Sequence, residues 1–310
     1  MSQNKQRKST MKQFNLFVVL MLGLSLAGCS RSGGEGSSRK VLQNKGSDTL
    51  VNVAQAWAEA YQNVNPNLAI AVTGGGSGTG IAALINGTVD IANASRSMKP
   101  KEIADATAHG HKPVEHIVGF DALAVYLNKA NPKSEFTLAE LADIYGENGQ
   151  AVSWTQLGTN VPGCSDQEII RVSRQNNSGT YVYFRETVLG KGDYKLGSRD
   201  MHGSKDVVDL VTNTPCAIGY SGLAYATPNV KMPCVKKADD SACVMPSEDS
   251  AIDGSYPIAR PLFMYTSGQP TGAVKEYLDW VLSDAGQCII KEKGYAPVRP
   301  VDCGEAAATE

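Results

Sequence analysis

The chain has 310 residues, 42% of them hydrophobic and 19% charged, with a formal net charge of −2. Four of its 29 basic residues and none of its 31 acidic ones fall in the first 28 positions, leaving 25 against 31, a net of −6. So acidic a balance excludes a general nucleic-acid binder, which needs a basic footprint, and the roughly 270 residues after position 40 predict two domains rather than one core.

In chain order, the first segment carries Lys5, Arg7, Lys8 and Lys12, then an apolar run from Phe14 to Leu26. The run is too short to remain as a bilayer-spanning helix and has the charged flank of an export signal. It ends in Leu26-Ala27-Gly28-Cys29, which resembles a bacterial lipobox and implies cleavage after residue 28 and lipidation of Cys29. Met11 serves equally well as a start, because the signal is complete from there. Residues 29–40 are rich in Gly and Ser and read as a flexible linker.

Beyond the linker, strand and helix signals alternate. Gly46-Ser47-Asp48-Thr49 precedes a helix over 50–63, whose stripe is Leu50, Val53, Ala54, Trp57, Ala58 and Tyr61. A strand over 68–72 runs into Gly74-Gly75-Gly76-Ser77-Gly78-Thr79-Gly80 and a helix over 80–86. A strand at 89–93, a helix at 100–109 and strands at 113–118 and 121–127 follow. Thr137-Leu-Ala-Glu140 is a capping box opening the next helix. The strand 168–173 leads into Arg174-Gln-Asn-Asn-Ser178-Gly179-Thr180 and a helix over 180–189. A helix at 204–212, a strand at 217–220, a strand at 257–265 and one or two helices over 272–293 complete the pattern. Such alternation predicts an α/β fold with mostly parallel sheets and a ligand at the carboxyl ends of the strands. Trp57, Trp154 and Trp280 read as core.

Three of these turns share one construction: an extended segment, a Gly/Ser/Thr loop, then a helix. Helix N-termini carry unpaired N–H groups and positive dipole ends, and hydroxyls add donors. Arg174 adds a planar, bidentate fork. Together they predict a cradle for one small oxyanion, held by neutral dipoles and an arginine.

Besides Cys29, six cysteines remain, an even number that suits three disulfides in an exported chain among 15 pairings. Local spacing favours Cys234–Cys243 and Cys288–Cys303, which leaves Cys164–Cys216. Cys/His spacing suited to zinc is missing, and His109-x-His111 reads as a solvated turn.

The ordered set GSDTL (46–50), GGGSGTG (74–80), DIANASR (90–96), RQNNSGTYVYF (174–184) and AIGYSGLAYA (217–226) resembles the substrate-binding lipoproteins of bacterial phosphate ABC importers, from Val41 to about Val298. The resemblance implies a two-lobed type II periplasmic-binding-protein fold with two interlobe crossovers, near Phe120–Tyr126 and Ala259–Met264. Lobe 1 would hold 41–120 and 262–310, and lobe 2 would hold 121–261. It implies a monomer that binds phosphate without catalysis or cofactor, delivers it to a permease and ATPase complex, and is exported and lipid-anchored to the cell envelope. The implied ligand set is Ser47, Thr49, Leu50, Ser77, Arg174, Ser178, Gly179 and Thr180. One departure stands out. Where the family places an Asp that accepts a hydrogen bond from protonated phosphate, this chain has Arg96, which favours a doubly charged anion and removes the acceptor. Asp121, opening an apolar strand at the first crossing, is the first candidate to replace it, and Asp48 the second.

Other classes fit less well. Gly78-Thr-Gly80 follows a strand, but no strand-end acid stands about 20 residues on, as a dinucleotide fold requires. The GxSxG elbow of a serine hydrolase and the Gly-Lys-Ser/Thr of a P-loop do not occur. Another tetrahedral oxyanion, sulfate or molybdate, on the same fold is the main alternative.

Overall fold

The computed structural model describes residues 40–304. The signal segment, Cys29 and the linker up to residue 39 lie outside the described residues.

The chain builds β1 (Lys40–Gly46), α1 (Val51–Val64), β2 (Leu68–Thr73), α2 (Ser77–Ile85), β3 (Ile91–Ala94) and α3 (Pro100–Ala108). Next come β4 (Pro113–Asn128), β5 (Glu135–Thr137), α4 (Leu138–Tyr145), β6 (Ile170–Arg174), α5 (Gly179–Thr187), β7 (Arg199–Met201) and α6 (Ser204–Thr212). Then β8 (Ala217–Gly222), β9 (Val230–Lys231), β10 (Cys234–Lys236), α7 (Glu248–Ile252), β11 (Ala259–Ser267), α8 (Gly272–Val281) and α9 (Asp284–Glu292) close the described chain. Local rules account for the boundaries. Helix α1 buries Val53, Ala54, Trp57 and Tyr61, one face at helical spacing. Helix α4 opens on the reciprocal Thr137–Glu140 capping box, with bonds of 3.0 and 3.1 Å. Proline occupies the first position of α3, where its missing N–H costs nothing.

The principal sheet runs β2-β1-β3-β11-β4-β8-β6-β7, with β9 also on β4, and β5 pairs with β10 separately. The expectation of mostly parallel sheets is corrected: the sheet is mixed. Pairs joined through helices are parallel, as in β1–β2, β1–β3, β6–β7 and β6–β8. Both β4 and β11 run antiparallel to their neighbours. The reason lies in β4, expected as two strands but formed as one of 16 residues. Its first part pairs with β11 and its last part, Leu123–Leu127, with β8. One strand therefore passes from one lobe to the other, and β11 lies antiparallel beside it.

Separate cores flank this passage. On one side Leu42, Trp57, Tyr61, Leu262, Met264 and Tyr277 pack together, and Ile81, Leu84, Phe263 and Tyr265 fill the opposite face of the same strands. On the other side Phe136, Tyr145, Trp154, Phe184 and Tyr220 form the largest cluster, and Val172, Val207 and Val211 pack with Tyr126 on the far face. Trp57 donates its indole N–H to the Gly286 carbonyl at 2.7 Å, tying α1 to α9. The disulfides are Cys164–Cys216, Cys234–Cys243 and Cys288–Cys303, the pairing expected from spacing.

Candidate oxyanion site

Four loops meet where β4 and β11 cross. Gly46 ends β1 at φ +146°, and a Cβ there would collide with the Asn93 carbonyl, so the chain turns sharply into Ser47-Asp48-Thr49. Ser47 is held by its amide on the Asn93 carbonyl at 2.9 Å. The carbonyls of Asp48 and Thr49 both accept from the Tyr225 hydroxyl, at 2.7 and 3.3 Å. The Tyr295 hydroxyl donates to the Thr49 carbonyl as well. Burial pushes the Tyr225 phenol up to about 12, so it stays a donor at any physiological pH. Leu50 is fully buried as the residue before α1, and its amide returns to the Ser47 carbonyl.

Ser77 is the first residue of α2, which begins three residues earlier than expected. Its hydroxyl accepts the Ser95 amide at 3.0 Å and lies 3.3 Å from the Ser95 hydroxyl, which in turn accepts from Ser47 at 3.0 Å. From the other lobe, Ser178 caps α5 and accepts the Thr180 amide at 3.1 Å. Gly179 opens the helix against Ser77 and Ser95, and a Cβ there would collide with both hydroxyls. The Thr49 and Thr180 hydroxyls are 3.0 Å apart. The Ser77 and Gly179 amides, first in α2 and α5, have no intrahelical acceptor, whereas the next ones are spent, Gly78 on the Asn177 carbonyl and Thr180 on Ser178 Oγ.

Arg174 ends β6 with no solvent exposure. Nη1 donates to Ser204 Oγ at 2.8 Å, and Nη2 donates to the His202 carbonyl at 2.7 Å and to Asp48 Oδ2 at 3.3 Å. Nε has no acceptor among the described residues. Burial lowers the Arg174 pKa, and Asp48 partly restores it. A guanidinium keeps its charge at neutral pH regardless.

Sequence reasoning missed Arg260, which organises the centre. It is 1% exposed and lies directly opposite Asp121 in the β4–β11 register. Nε and Nη2 donate to Asp121 Oδ2 at 3.1 and 2.8 Å, and Nη1 donates to the Ser95 carbonyl at 3.1 Å. Nη2 also reaches Thr180 Oγ1 at 3.1 Å and Thr49 Oγ1 at 3.3 Å, so one side chain touches hydroxyls from both lobes. Nη2 has two hydrogens and Asp121 takes one, so the two threonine oxygens share the other as acceptors and their own protons point elsewhere. One proton can serve the other threonine, and the second is left for a ligand. The available signal was the one charged residue of the Ala259–Ser267 strand, beside the apolar run Leu262–Met264.

The structure thus brings together Ser47, Thr49, Leu50, Ser77, Arg174, Ser178, Gly179 and Thr180. Two expectations come out differently. The Asp121 carboxylate is occupied by Arg260 and by the Leu223 amide at 3.2 Å, so it meets the hydroxyls only through Arg260. Burial raises the Asp121 pKa, and the charge of Arg260 opposes the rise. Arg96 points away from the cluster: its guanidinium forks onto Glu102 at 2.7 and 2.8 Å, at the start of α3. Asp48 is the carboxylate beside Arg174, and its Oδ1 also accepts the Gly75 amide at 2.8 Å.

A PBP superfamily domain model matches residues 33–285. The phosphate-binding protein PstS of Pseudomonas aeruginosa is 34% identical over 280 residues, covering 87% of this chain and 86% of that one. PstS of Bacillus subtilis is 29% identical over 309 residues, 93% of this chain and 95% of the relative. Among solved structures, a putative phosphate ABC transporter substrate-binding protein from Clostridium perfringens, with bound phosphate, superposes with a TM-score of 0.73 at 28% identity. It covers 84% of this chain and 100% of that one.

Proposed function

The chain belongs to the PBP superfamily, in the family of PstS phosphate-binding proteins of ABC importers, and from that premise we propose that it captures inorganic phosphate between its lobes and delivers it to a permease. The observation that carries this reading is Arg174, fully buried with an unspent Nε–H, beside the N-terminus of α5 and the Thr49–Thr180 hydroxyl pair. Charged N–H groups, hydroxyls and helix amides together complement a tetrahedral oxyanion. The lobe boundaries fall at the two crossings, near residues 120 and 262, and closure brings Thr180 onto Thr49. The reading assigns capture and no catalysis, to a monomer that is exported and held at the envelope through a lipid on Cys29.

Phosphate near neutral pH keeps at least one proton, whereas sulfate keeps none, so a buried acceptor separates them. With Asp121 engaged by Arg260, Asp48 takes that role in our reading. Calorimetric titration with phosphate, sulfate and molybdate at fixed ionic strength tests both points. Phosphate should bind far more tightly than sulfate, and Asp48→Asn should narrow the gap more than Asp121→Asn. Equal affinity for phosphate and sulfate in the wild type would favour a general tetrahedral-oxyanion binder instead.

A further inference from the structure

Two tyrosines hold the loop that carries Thr49, one from each lobe. Tyr225 ends the short 3₁₀ turn Leu223–Tyr225 that follows β8, and its hydroxyl lies 2.7 Å from the Asp48 carbonyl and 3.3 Å from that of Thr49. Tyr295 follows α9, and its hydroxyl reaches the Thr49 carbonyl and, at 3.1 Å, Asn52 Oδ1. A phenol has one proton, so Tyr225 chiefly serves Asp48 and Tyr295 serves Thr49. The hold on the Asp48 carbonyl thus comes from lobe 2, although the loop itself belongs to lobe 1.

Residues 47–50 form a β-turn closed by the Leu50 amide on the Ser47 carbonyl at 3.1 Å. That bond uses neither end of the central peptide, between Asp48 and Thr49. The central peptide is the mobile unit of such a turn, since types I and II differ by turning it over. A complete turnover would put β-branched Thr49 at positive φ, where it is not found. Local sequence therefore excludes the flip and leaves the tilt open, and the Tyr225 hydroxyl closes that freedom. In a trans peptide the C=O and N–H point in opposite directions. Fixing the Asp48 carbonyl on Tyr225 therefore directs the Thr49 N–H away from Tyr225. This N–H has no acceptor among the described residues, and the hydroxyl of the same residue lies 3.0 Å from Thr180 of the other lobe.

We propose that Tyr225 is a positioning residue for the captured phosphate: its bond to the Asp48 carbonyl aims the Thr49 N–H at an oxygen of the anion. Tyr225 touches no ligand itself. The proposal rests on the phosphate reading and deepens it, by naming one donor in the 47–50 turn and what keeps that donor in line. Hydrogen bonds weaken steeply as the donor tilts away from its acceptor. Phenylalanine at position 225 keeps the ring and removes only the hydroxyl, so it returns the tilt to the peptide.

The test is a titration of the wild type, Tyr225→Phe and Tyr145→Phe with inorganic phosphate, followed by amide chemical shifts and by calorimetry. Tyr145→Phe is the control, because it removes a buried hydroxyl–carbonyl bond, 2.8 Å to Ile218, that lies within lobe 2. In the wild type, saturation should move the Thr49 amide proton downfield together with those of Ser77 and Gly179. In Tyr225→Phe the Thr49 shift should shrink while Ser77 and Gly179 keep theirs. Affinity should fall about tenfold, close to the worth of one hydrogen bond to a charged group. A hydroxyl that only stabilised the fold would lower the denaturation midpoint and leave the saturated Thr49 shift as it was, and Tyr145→Phe should behave in that way. An unchanged Thr49 shift in saturated Tyr225→Phe overturns the proposal. So does a wild type in which phosphate moves the Gly179 amide and never that of Thr49. A wild type in which phosphate moves none of the three amides overturns the phosphate reading, and the proposal with it.

Discussion

Arg174 and Arg260 carry equal charge but do different work. Arg174 spends its terminal nitrogens on Ser204, His202 and Asp48 and keeps its Nε–H for the cleft, whereas the single ammonium of a lysine cannot serve both sets of partners. Arg174→Lys should weaken phosphate binding by about 1.5–3 kcal/mol, read by calorimetry; unchanged affinity would place the ligand elsewhere. Arg260 is committed to Asp121, and Arg260→Met would strand that carboxylate in the interior. Breaking a buried pair from one side costs about 3–5 kcal/mol, so chemical denaturation should show a loss of that size. Arg260→Met combined with Asp121→Asn should recover much of it, and no recovery would mean the arginine stabilises the fold through other contacts. Most of the cleft was legible because helix-capping chemistry is local: Ser178, Gly179 and Thr180 announce themselves within one turn. Arg260 was not, because its meaning depends on an Asp 139 positions away that only strand pairing brings opposite it. Arg96 misled for the same reason, since its Glu102 partner is six residues on but its direction is set by the turn between them.

Among the elements, the expected helices were placed within a few residues, since periodicity and caps fix them, while the five-residue α7 was not foreseen. Strands that pair with distant partners were harder. Nothing local says that 113–118 and 121–127 join, because the intervening Gly119-Phe120 resembles a break. The joining is tertiary: Gly119 lies so close to Ile290 and the Ala296 carbonyl that a Cβ would collide, and Phe120 exchanges amide bonds of 2.8 and 2.9 Å with Ala296. The short strands β5, β7, β9 and β10 exist through their partners and left no readable signal. The disulfides offer a test at this scale. Cys164–Cys216 spans 52 positions, and Cys234–Cys243 spans nine. In the chain-entropy account these closures contribute about 4 and about 2.6 kcal/mol. Replacing each pair by alanines should lower the denaturation midpoint more for the longer loop; a reversed order would point to enthalpic effects instead.

At the scale of the molecule, the contacts that span the cleft describe a closed form. Thr49 meets Thr180, and the Gly78 amide meets the Asn177 carbonyl at 2.9 Å. If the lobes part without ligand, solution scattering should give a larger radius of gyration for the phosphate-free protein than for the saturated one. Identical values at both extremes would mean a permanently closed cleft. The two-lobed architecture could be anticipated from the ordered loops, whereas the mixed sheet could not, because antiparallel pairing of β4 and β11 follows from their passage between lobes and not from the strand–helix alternation.

Asn177 gives the closed form a clock. Its carbonyl takes the Gly78 amide, and its side-chain amide donates to the Gly75 carbonyl at 2.9 Å. Neither bond belongs to the oxyanion cluster, so the clasp is indifferent to what lies inside and resists only reopening. Such bonds form after encounter and govern how long a captured ion stays, as most affinity differences between related complexes arise in dissociation. In stopped-flow release experiments, Asn177→Ala should let phosphate go several-fold faster while its association rate barely changes. The transporter must then break this clasp at every delivery, so a protein without it would hold phosphate less well and surrender it more readily.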